Sequence, residues 1–261
     1  MNPLFDEQDN KLMDEISKAN ANKVPEYNNL EELKQGSKAW FNARLGKFTG
    51  SKVPDLMKSG RGKEEWGLTA LAVVRRVFVE RDLSEIGREL YVDELFGKNF
   101  RQTEWGNKYE SYAREEFQKK TGLDVVETHF ELHPKYSFIG GSFDGRVINI
   151  PEKKIIEIKC PYDPLVHQAN TELDEESMLK HDYYPQIQCN IEVAGAESCY
   201  FISYAVFCLK KKKYILEVKR DETFINNFLL RVLEAECMLD YMGMGVSAYE
   251  ALLLMTKKEN D

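Results

Sequence analysis

The chain has 261 residues, of which 43% are hydrophobic and 31% charged, as in an ordinary globular protein. Its net charge of −8 argues against a uniformly basic nucleic-acid-binding protein, although one local basic surface would be enough to bind DNA. No apolar run approaches the roughly 20 residues of a membrane span, and the N-terminus lacks the pattern of a signal peptide. We therefore expect a cytoplasmic protein without a membrane partner.

An N-terminal extension and several helices are predicted for the first half of the chain. Residues 1–34 are charged and poor in aromatic residues, so we expect an extension that is helical or loosely ordered. Apolar residues at helical spacing predict helices over Ser51–Lys58 and Glu64–Arg81, with a basic, glycine-containing loop between them. The clearest helix is Glu104–Thr121, which carries an aromatic stripe and is followed by Gly122 as a stop signal.

The second half of the chain combines strands with helices. Helices are predicted over Tyr184–Ala194 and Glu222–Met255. Segments rich in β-branched and aromatic residues predict strands at Val125–Leu132, Phe138–Ile150, Ile155–Cys160, Ser198–Cys208 and Lys213–Lys219. This order of elements favours an α/β or α+β fold in which helices flank a mixed central β-sheet.

The cysteines do not form a pattern for metal binding. None is in C-x-x-C spacing, and an odd number argues against a complete set of disulfides. We interpret them as reduced, buried thiols. They are Cys160, Cys189, Cys199, Cys208 and Cys237.

The most informative segment is the strand Ile155–Cys160. Alternation along a strand places Glu157 and Lys159 on one face and isoleucines on the other. Taken alone, this pattern is also typical of a salt bridge on an exposed edge strand. Asp144 lies thirteen residues before Glu157, however, and a hairpin turning near Pro151 would bring the two carboxylates together.

Such a group of residues suits metal-dependent chemistry. Two carboxylates and a backbone carbonyl are the hard oxygen ligands that Mg²⁺ prefers. A lysine beside them, here Lys159, can hold or deprotonate a water molecule or stabilise charge on a phosphate. Glu110 is either a third carboxylate of this site or part of a solvated helix face, and Asp144 alone would be read as a turn residue.

Five sequence blocks resemble those of the lambda-exonuclease (YqaJ-like viral recombinase) group of PD-(D/E)XK nucleases. They occur in the order found in that family, and the N-terminal extension lies outside them. Two positions depart from the family pattern, with Phe143 in place of proline and Gly50 where alanine is common. The blocks are Trp40–Ser51, Trp105–Glu110, Gly141–Gly145, Glu157–Pro161 and Tyr184–Gln188.

The resemblance implies a metal-binding catalytic group. Asp144 and Glu157, with the backbone carbonyl of Ile158, would bind Mg²⁺, for which Mn²⁺ would substitute. Glu110 would hold a second metal ion or its water shell. Lys159 would position or activate the attacking water.

The resemblance also implies a supporting residue and a phosphate site. Gln186 would support the catalytic group. Arg44, Ser51 and Ser142 would bind the 5′-phosphate of a DNA end, and a guanidinium with hydroxyls is chemically suited to that task.

The family further implies the architecture and the activity. We expect residues 35–261 to form a single domain with a restriction-endonuclease-like core and C-terminal helices. The activity would be Mg²⁺-dependent 5′-to-3′ digestion of one strand of linear duplex DNA to mononucleotides, leaving a 3′ single strand for recombination. The resemblance suggests a phage or prophage protein in the bacterial cytoplasm, a ring-shaped homotrimer and a single-strand annealing partner.

Two alternatives remain open at this point. One is an endonuclease on the same core, and the other is a DNA-end-binding recombination scaffold without catalysis. The complete set of three carboxylates and a lysine argues against the scaffold. We interpret His167 and His181 as structural residues, and Lys210–Lys213 either as a solvated turn or as a contact to the DNA backbone.

Overall fold

The computed structural model describes residue 11 and residues 33–62, 65–98, 101–208 and 210–258. Nearly all of the expected N-terminal extension therefore lies outside the described residues. The helices between residues 33 and 258 are α1 Lys38–Arg44, α2 Val53–Leu56, α3 Leu68–Asp82, α4 Glu85–Gly97, α5 Arg101–Thr121, α6 Pro164–Asn170, α7 Glu175–Met178, α8 Tyr184–Ala194, α9 Glu222–Gly243 and α10 Ala248–Lys258. The strands are β1 Phe48–Thr49, β2 Val125–Val126, β3 Glu131–Leu132, β4 Ile139–Gly141, β5 Gly145–Val147, β6 Lys154–Lys159, β7 Ser198–Tyr204 and β8 Lys213–Lys219.

A five-stranded mixed sheet forms the centre of the described fold. Its order is β2-β5-β6-β7-β8, so β6 is the middle strand. The pair β6 and β7 is parallel, whereas the other neighbouring pairs are antiparallel. A smaller sheet of order β1-β4-β3 lies beside it. The predicted class, a mixed central sheet flanked by helices, is confirmed.

The two faces of the five-stranded sheet are covered by different helices. Ile156 and Ile158 of β6 pack with Phe117 of α5 in one cluster of buried side chains. Ile155 belongs to the larger core, which includes Ile187 of α8 and buried residues of α3 and α9. Because successive side chains of a strand point to opposite faces, Glu157 and Lys159 share the α8 side with Ile155. The alternation predicted for this strand is confirmed.

Two of the predicted strands are wrong as single elements. Val125–Leu132 divides into β2 and β3, and Phe138–Ile150 divides into β4 and β5, with the members of each pair in different sheets. The chain leaves one sheet and enters the other at each break. The hydroxyl of Thr128 in the first break donates to the carbonyl of Phe143 in the second, which ties the two crossings together. The hairpin of β5 and β6, by contrast, is formed as predicted.

The helix predictions are confirmed in part. The segment Tyr184–Ala194 is helical as predicted, and α5 ends at Thr121, directly before Gly122. Ser51–Lys58 is helical only over the four residues of α2. The C-terminal helical stretch is interrupted after Gly243 and resumes in α10. The helices α1, α4, α6 and α7 and the strand β1 were not predicted.

Two further expectations concern cysteines and membranes. All five cysteines are free, as expected. Cys189 and Cys199 are fully buried, but the expectation of buried thiols is wrong for Cys160, Cys208 and Cys237, which are only partly buried. Within the described residues, no helix combines the length and the apolar character that a membrane span requires.

Candidate active site

A cleft of about 430 Å³ opens where β6, α5 and α8 meet the segment around β4. Residues far apart in the sequence converge on it, and they include every candidate that the sequence suggested. Those candidates are Arg44, Ser51, Glu110, Ser142, Asp144, Glu157, Ile158, Lys159 and Gln186.

Asp144 lies just before β5 and is almost fully buried. Its backbone N–H donates to the carbonyl of Ile156 (3.0 Å), and its carboxylate accepts from the N–H of Ile158 (2.5 Å). These two bonds hold it against the middle strand of the sheet. Burial, followed by the negative charges of Glu157 and Glu110, raises the pKa of Asp144 well above its ordinary value.

Glu157 is held by donors on three sides. One carboxylate oxygen accepts from the ammonium of Lys159 (2.6 Å) and from the side-chain amide of Gln186 (2.7 Å). The other oxygen accepts from the side-chain amide of Asn190 (3.0 Å). Glu157 is only 2% exposed and has therefore lost its contacts with water. These three donors take the place of that water.

Lys159 is a charged group in a partly closed setting. Its ammonium lies 2.6 Å from Glu157 and 5.1 Å from the ring centroid of Tyr183. Burial by itself lowers the pKa of this lysine, but the nearby charges of Glu157 and Asp144 outweigh that effect and raise it above the ordinary value. In this arrangement Lys159 is a cation throughout the neutral pH range.

Glu110 lines the cleft but is bound by another partner. Its carboxylate accepts from Arg114, one turn further along α5, at 2.9 Å. Burial raises the pKa of Glu110, and the charge of Arg114 opposes the rise. Within the described part of the chain, no three His, Cys, Asp or Glu side chains are grouped closely enough to hold a metal ion together. A role for Glu110 at a second metal ion stays a prediction.

The donor set of Asp144 and Glu157 suits a hard divalent cation. Both are buried carboxylates, and Ile158, whose carbonyl was the third expected ligand, lines the same cleft. Mg²⁺ usually takes one or two protein carboxylates and completes its shell with water and substrate phosphate. The repulsion that raises the pKa of Asp144 is the kind of interaction that a bound cation offsets. The residues therefore fit the expected ion.

Asn190 is a site residue that the sequence reasoning missed. Its side-chain N–H group donates to Glu157 and also to the carbonyl of Ser142 (3.3 Å). Its amide oxygen has no hydrogen-bond partner and is enclosed beside Gly50 and Gly141, where an added Cβ would lie 2.7 Å and 2.8 Å from it. The sequence feature that could have revealed Asn190 is its position one turn after Gln186 on α8. This spacing places both side-chain amides on the face towards β6.

Arg44 forms the centre of a second polar group in the same cleft. Its guanidinium donates to the hydroxyl of Ser142 (3.0 Å) and to that of Ser51 (2.6 Å). The indole N–H of Trp40 also donates to Ser142 (3.0 Å). Both serines that were expected to bind a phosphate are therefore in direct contact with Arg44.

Aromatic packing fixes the guanidinium of Arg44. The carbon at its centre lies 4.0 Å from the ring centroid of Trp40, in a cation–π contact. Burial lowers the pKa of Arg44 to about 10, so the side chain remains positively charged at neutral pH. A partly buried cation surrounded by hydroxyls is chemically suited to bind an anion.

The two histidines have structural contacts, as expected. His167 is buried, and one ring nitrogen lies 2.8 Å from the Ser203 hydroxyl while the other lies 2.6 Å from the backbone carbonyl of Lys211. A carbonyl only accepts, so the second nitrogen carries the proton. His181 accepts from the N–H of Tyr183, and burial lowers its pKa. Neither lines the cleft.

We predict that Mg²⁺ stabilises the protein through Asp144. At one hundred times its Kd, a bound ion adds about 2.7 kcal/mol, or roughly 5–10 °C in melting temperature. In Asp144→Asn this gain should be lost, while the metal-free melting temperature should match or exceed that of the wild type. Thermal melts with Mg²⁺ and with EDTA measure both quantities.

The pH dependence of the same melts gives a second readout. The pKa of Asp144 is raised in the folded state, so the metal-free wild type should gain stability as the pH falls through that value. Asp144→Asn should lack this gain, whereas the exposed control Asp124→Asn should behave like the wild type. An unchanged Mg²⁺ response in Asp144→Asn would contradict the assignment.

Solved structures share this fold. The chain superposes on the crystal structure of an alkaline exonuclease (LHK-Exo) from Laribacter hongkongensis with a TM-score of 0.62 and 24% identity, covering 86% of this chain and 99% of that one. A crystal structure of LHK-Exo in complex with dAMP gives the same values. A phage-related exonuclease from Haemophilus somnus 129PT gives a TM-score of 0.54 and 18% identity, covering 81% and 96%.

The sequence itself matches one family. No protein with a curated description matches it. Residues 39–197, more than half of the chain, match the model of the YqaJ-like viral recombinase domain. These residues contain the strands and helices that carry two sets of side chains. We call Asp144, Glu157 and Lys159 the acidic group, and Arg44, Ser51 and Ser142 the Arg44 group. The chain therefore belongs to the YqaJ-like viral recombinase domain family, as its sequence blocks suggested.

Proposed function

We propose that the chain is a metal-dependent exonuclease that digests one strand of linear duplex DNA from its 5′ end. The observation that carries this proposal is the shared cleft of the acidic group and the Arg44 group. The amide of Asn190 joins them, because it binds both Glu157 and the carbonyl of Ser142. A terminal phosphate held at Arg44 would leave the adjoining phosphodiester beside the carboxylates.

Two kinds of residue would form the metal site, the ligands of the ion and the residues that orient those ligands. Asp144 and Glu157, with the carbonyl of Ile158, would hold Mg²⁺ or Mn²⁺. When bound there, a divalent cation supplies Lewis-acid chemistry for phosphodiester hydrolysis. Gln186 and Asn190 orient the carboxylate of Glu157 through their hydrogen bonds.

Lys159 would act as a cation. Its raised pKa keeps it protonated at neutral pH, so it is suited to donate to a water molecule or to a phosphate oxygen. The sequence left open whether this lysine holds a water or deprotonates one. In the metal-free site the charges beside it suit it to holding a water, because a protonated ammonium has no lone pair with which to take a proton.

The direction of digestion and its product depend on the resemblance to lambda exonuclease. That resemblance assigns a 5′-phosphate to the Arg44 group, mononucleotides as products and a 3′ single strand as the remainder. Membership in a viral recombinase family supports a role in DNA recombination. The exonucleases that share the fold support digestion from an end.

We predict that a linear duplex with one 5′-phosphorylated end loses the phosphorylated strand in Mg²⁺ and is stable in EDTA. Lys159→Ala should reduce the rate by at least about a hundredfold, since charge stabilisation by one positioned group is typically worth that much. Gel analysis of each strand, labelled separately, measures the rate and the direction.

Closed circular duplex is the matched control substrate. It offers no end, so it should remain intact. Cutting of the circle would favour an endonuclease on the same core. Binding of the end without digestion, in Mg²⁺ and in Mn²⁺, would favour a scaffold without catalysis.

We predict that Arg44→Gln removes the preference for a 5′-phosphate over a 5′-hydroxyl. Hydrogen bonds to charged groups contribute about 1.5–3 kcal/mol, so the preference should fall roughly 10–150-fold. The ratio of kcat/KM for the two ends measures it. The exposed Arg75→Gln is the control and should keep the wild-type ratio. An unchanged ratio in Arg44→Gln would place the phosphate elsewhere.

A ring-shaped homotrimer and a single-strand annealing partner are part of the same proposal, on the resemblance alone. A trimer encircling the duplex would keep the enzyme on its substrate after each step. Sedimentation equilibrium is expected to give three times the mass of the 30.3 kDa chain. A strictly monomeric particle would remove the ring from the proposal.

A further inference from the structure

Three aromatic side chains form a cluster, and one of them, Tyr162, lines the cleft. Trp105 belongs to α5, Tyr162 follows β6, and Phe207 follows β7. The ring centroid of Trp105 lies 5.3 Å from that of Tyr162 and 5.8 Å from that of Phe207. We refer to these three residues as the aromatic platform.

The aromatic platform is not part of the protein core. Tyr162 is 53% exposed and Phe207 is 40% exposed, whereas Trp105 lies half-buried between them. Two exposed rings that meet on a half-buried third are costly to leave in water and often mark a binding surface. The exposed fractions of Tyr162 and Phe207 leave part of each ring available to a ligand.

The aromatic platform is continuous with the catalytic cleft. Tyr162 lines the cleft, as do Gly106 and Asn107, which directly follow Trp105 on α5. Tyr162 lies three residues beyond Lys159, the last residue of β6. The platform is therefore next to the end of the strand that carries Glu157 and Lys159. A ligand that leaves the cleft in this direction meets the platform first.

A basic segment follows the aromatic platform in the sequence. Lys210, Lys211 and Lys212 are exposed, whereas Lys213 is paired with Glu116 at 2.9 Å. The backbone of this segment is held at Lys211, whose carbonyl accepts from the buried His167 (2.6 Å). Three exposed ammonium groups are therefore presented from a fixed backbone near Phe207.

We propose that the aromatic platform stacks unpaired bases of the DNA strand bound in the cleft, while Lys210–Lys212 contact its phosphates. Aromatic rings interleaved with basic residues are the usual means of binding single strands without sequence preference. Base faces are covered in a duplex, so the platform takes nucleotides that have separated from their complement. This proposal rests on the proposed function, since it names the form in which the substrate of that site is held.

The test compares two oligonucleotides of equal length and charge, oligothymidine and its abasic analogue, each labelled at the 3′ end. Fluorescence anisotropy in Ca²⁺ measures their dissociation constants, and gels confirm that the oligonucleotides stay intact. Tyr162→Ala and Phe207→Ala should each weaken oligothymidine binding roughly fivefold or more, because stacking contributes on this scale. Binding of the abasic analogue should not change.

Ring-retaining and distant variants serve as controls. Tyr162→Phe and Phe207→Tyr should keep the wild-type affinity, and so should Tyr249→Ala, which removes an equally exposed tyrosine from α10. Circular dichroism confirms that each variant is folded. Wild-type binding of oligothymidine by both alanine variants, as for a surface that serves a protein partner, would overturn the proposal.

The two proposals fail in different ways. Equal weakening of both oligonucleotides would show an effect of charge or folding and would also overturn the aromatic platform. Loss of nuclease activity in the wild type would overturn the proposed function and would leave these binding constants measurable.

Discussion

The site depends on one constraint, which is that two carboxylates are buried beside one lysine at the middle strand of the sheet. Glu157 and Lys159 belong to that strand, β6, and Asp144 directly precedes its neighbour β5. Asp144 and Glu157 are each less than a tenth exposed, and buried charges are tolerated only where donors or counter-charges replace water. The backbone N–H of Ile158 donates a hydrogen bond to Asp144. Lys159 and the side-chain amides of Gln186 and Asn190 on α8 donate hydrogen bonds to Glu157. The packing of α8 against the sheet is thereby tied to the chemistry.

The same constraint explains why two polar groups form one cleft. The crossing between β4 and β5 carries Ser142 and Asp144 two residues apart, so one turn of chain contributes to both groups. Ser142 binds Arg44 through its hydroxyl and Asn190 through its carbonyl. The Arg44 group and the two buried carboxylates are therefore kept at a fixed separation by one short segment.

Much of this could be predicted from the sequence, and the exceptions have physical causes. Alternation on β6 placed Glu157 correctly, because a strand period is a local property. Val125–Leu132 was misjudged because its chain crosses from one sheet to the other, which no local period reveals. Asn190 was missed because a mid-helix asparagine gains meaning only from the strand that it faces. The nine expected residues line one cleft, but their roles remain proposals.

The enclosure of the Asn190 amide also limits which side chains positions 50 and 190 can hold together. A methyl group added at Gly50 would lie 2.7 Å from the amide oxygen of Asn190. The residues at positions 50 and 190 therefore depend on each other. An alanine at position 50 would require a smaller side chain than asparagine at position 190. A change at position 50 alone would create a clash and a smaller residue at position 190 alone would create a cavity, so the order of the two changes matters.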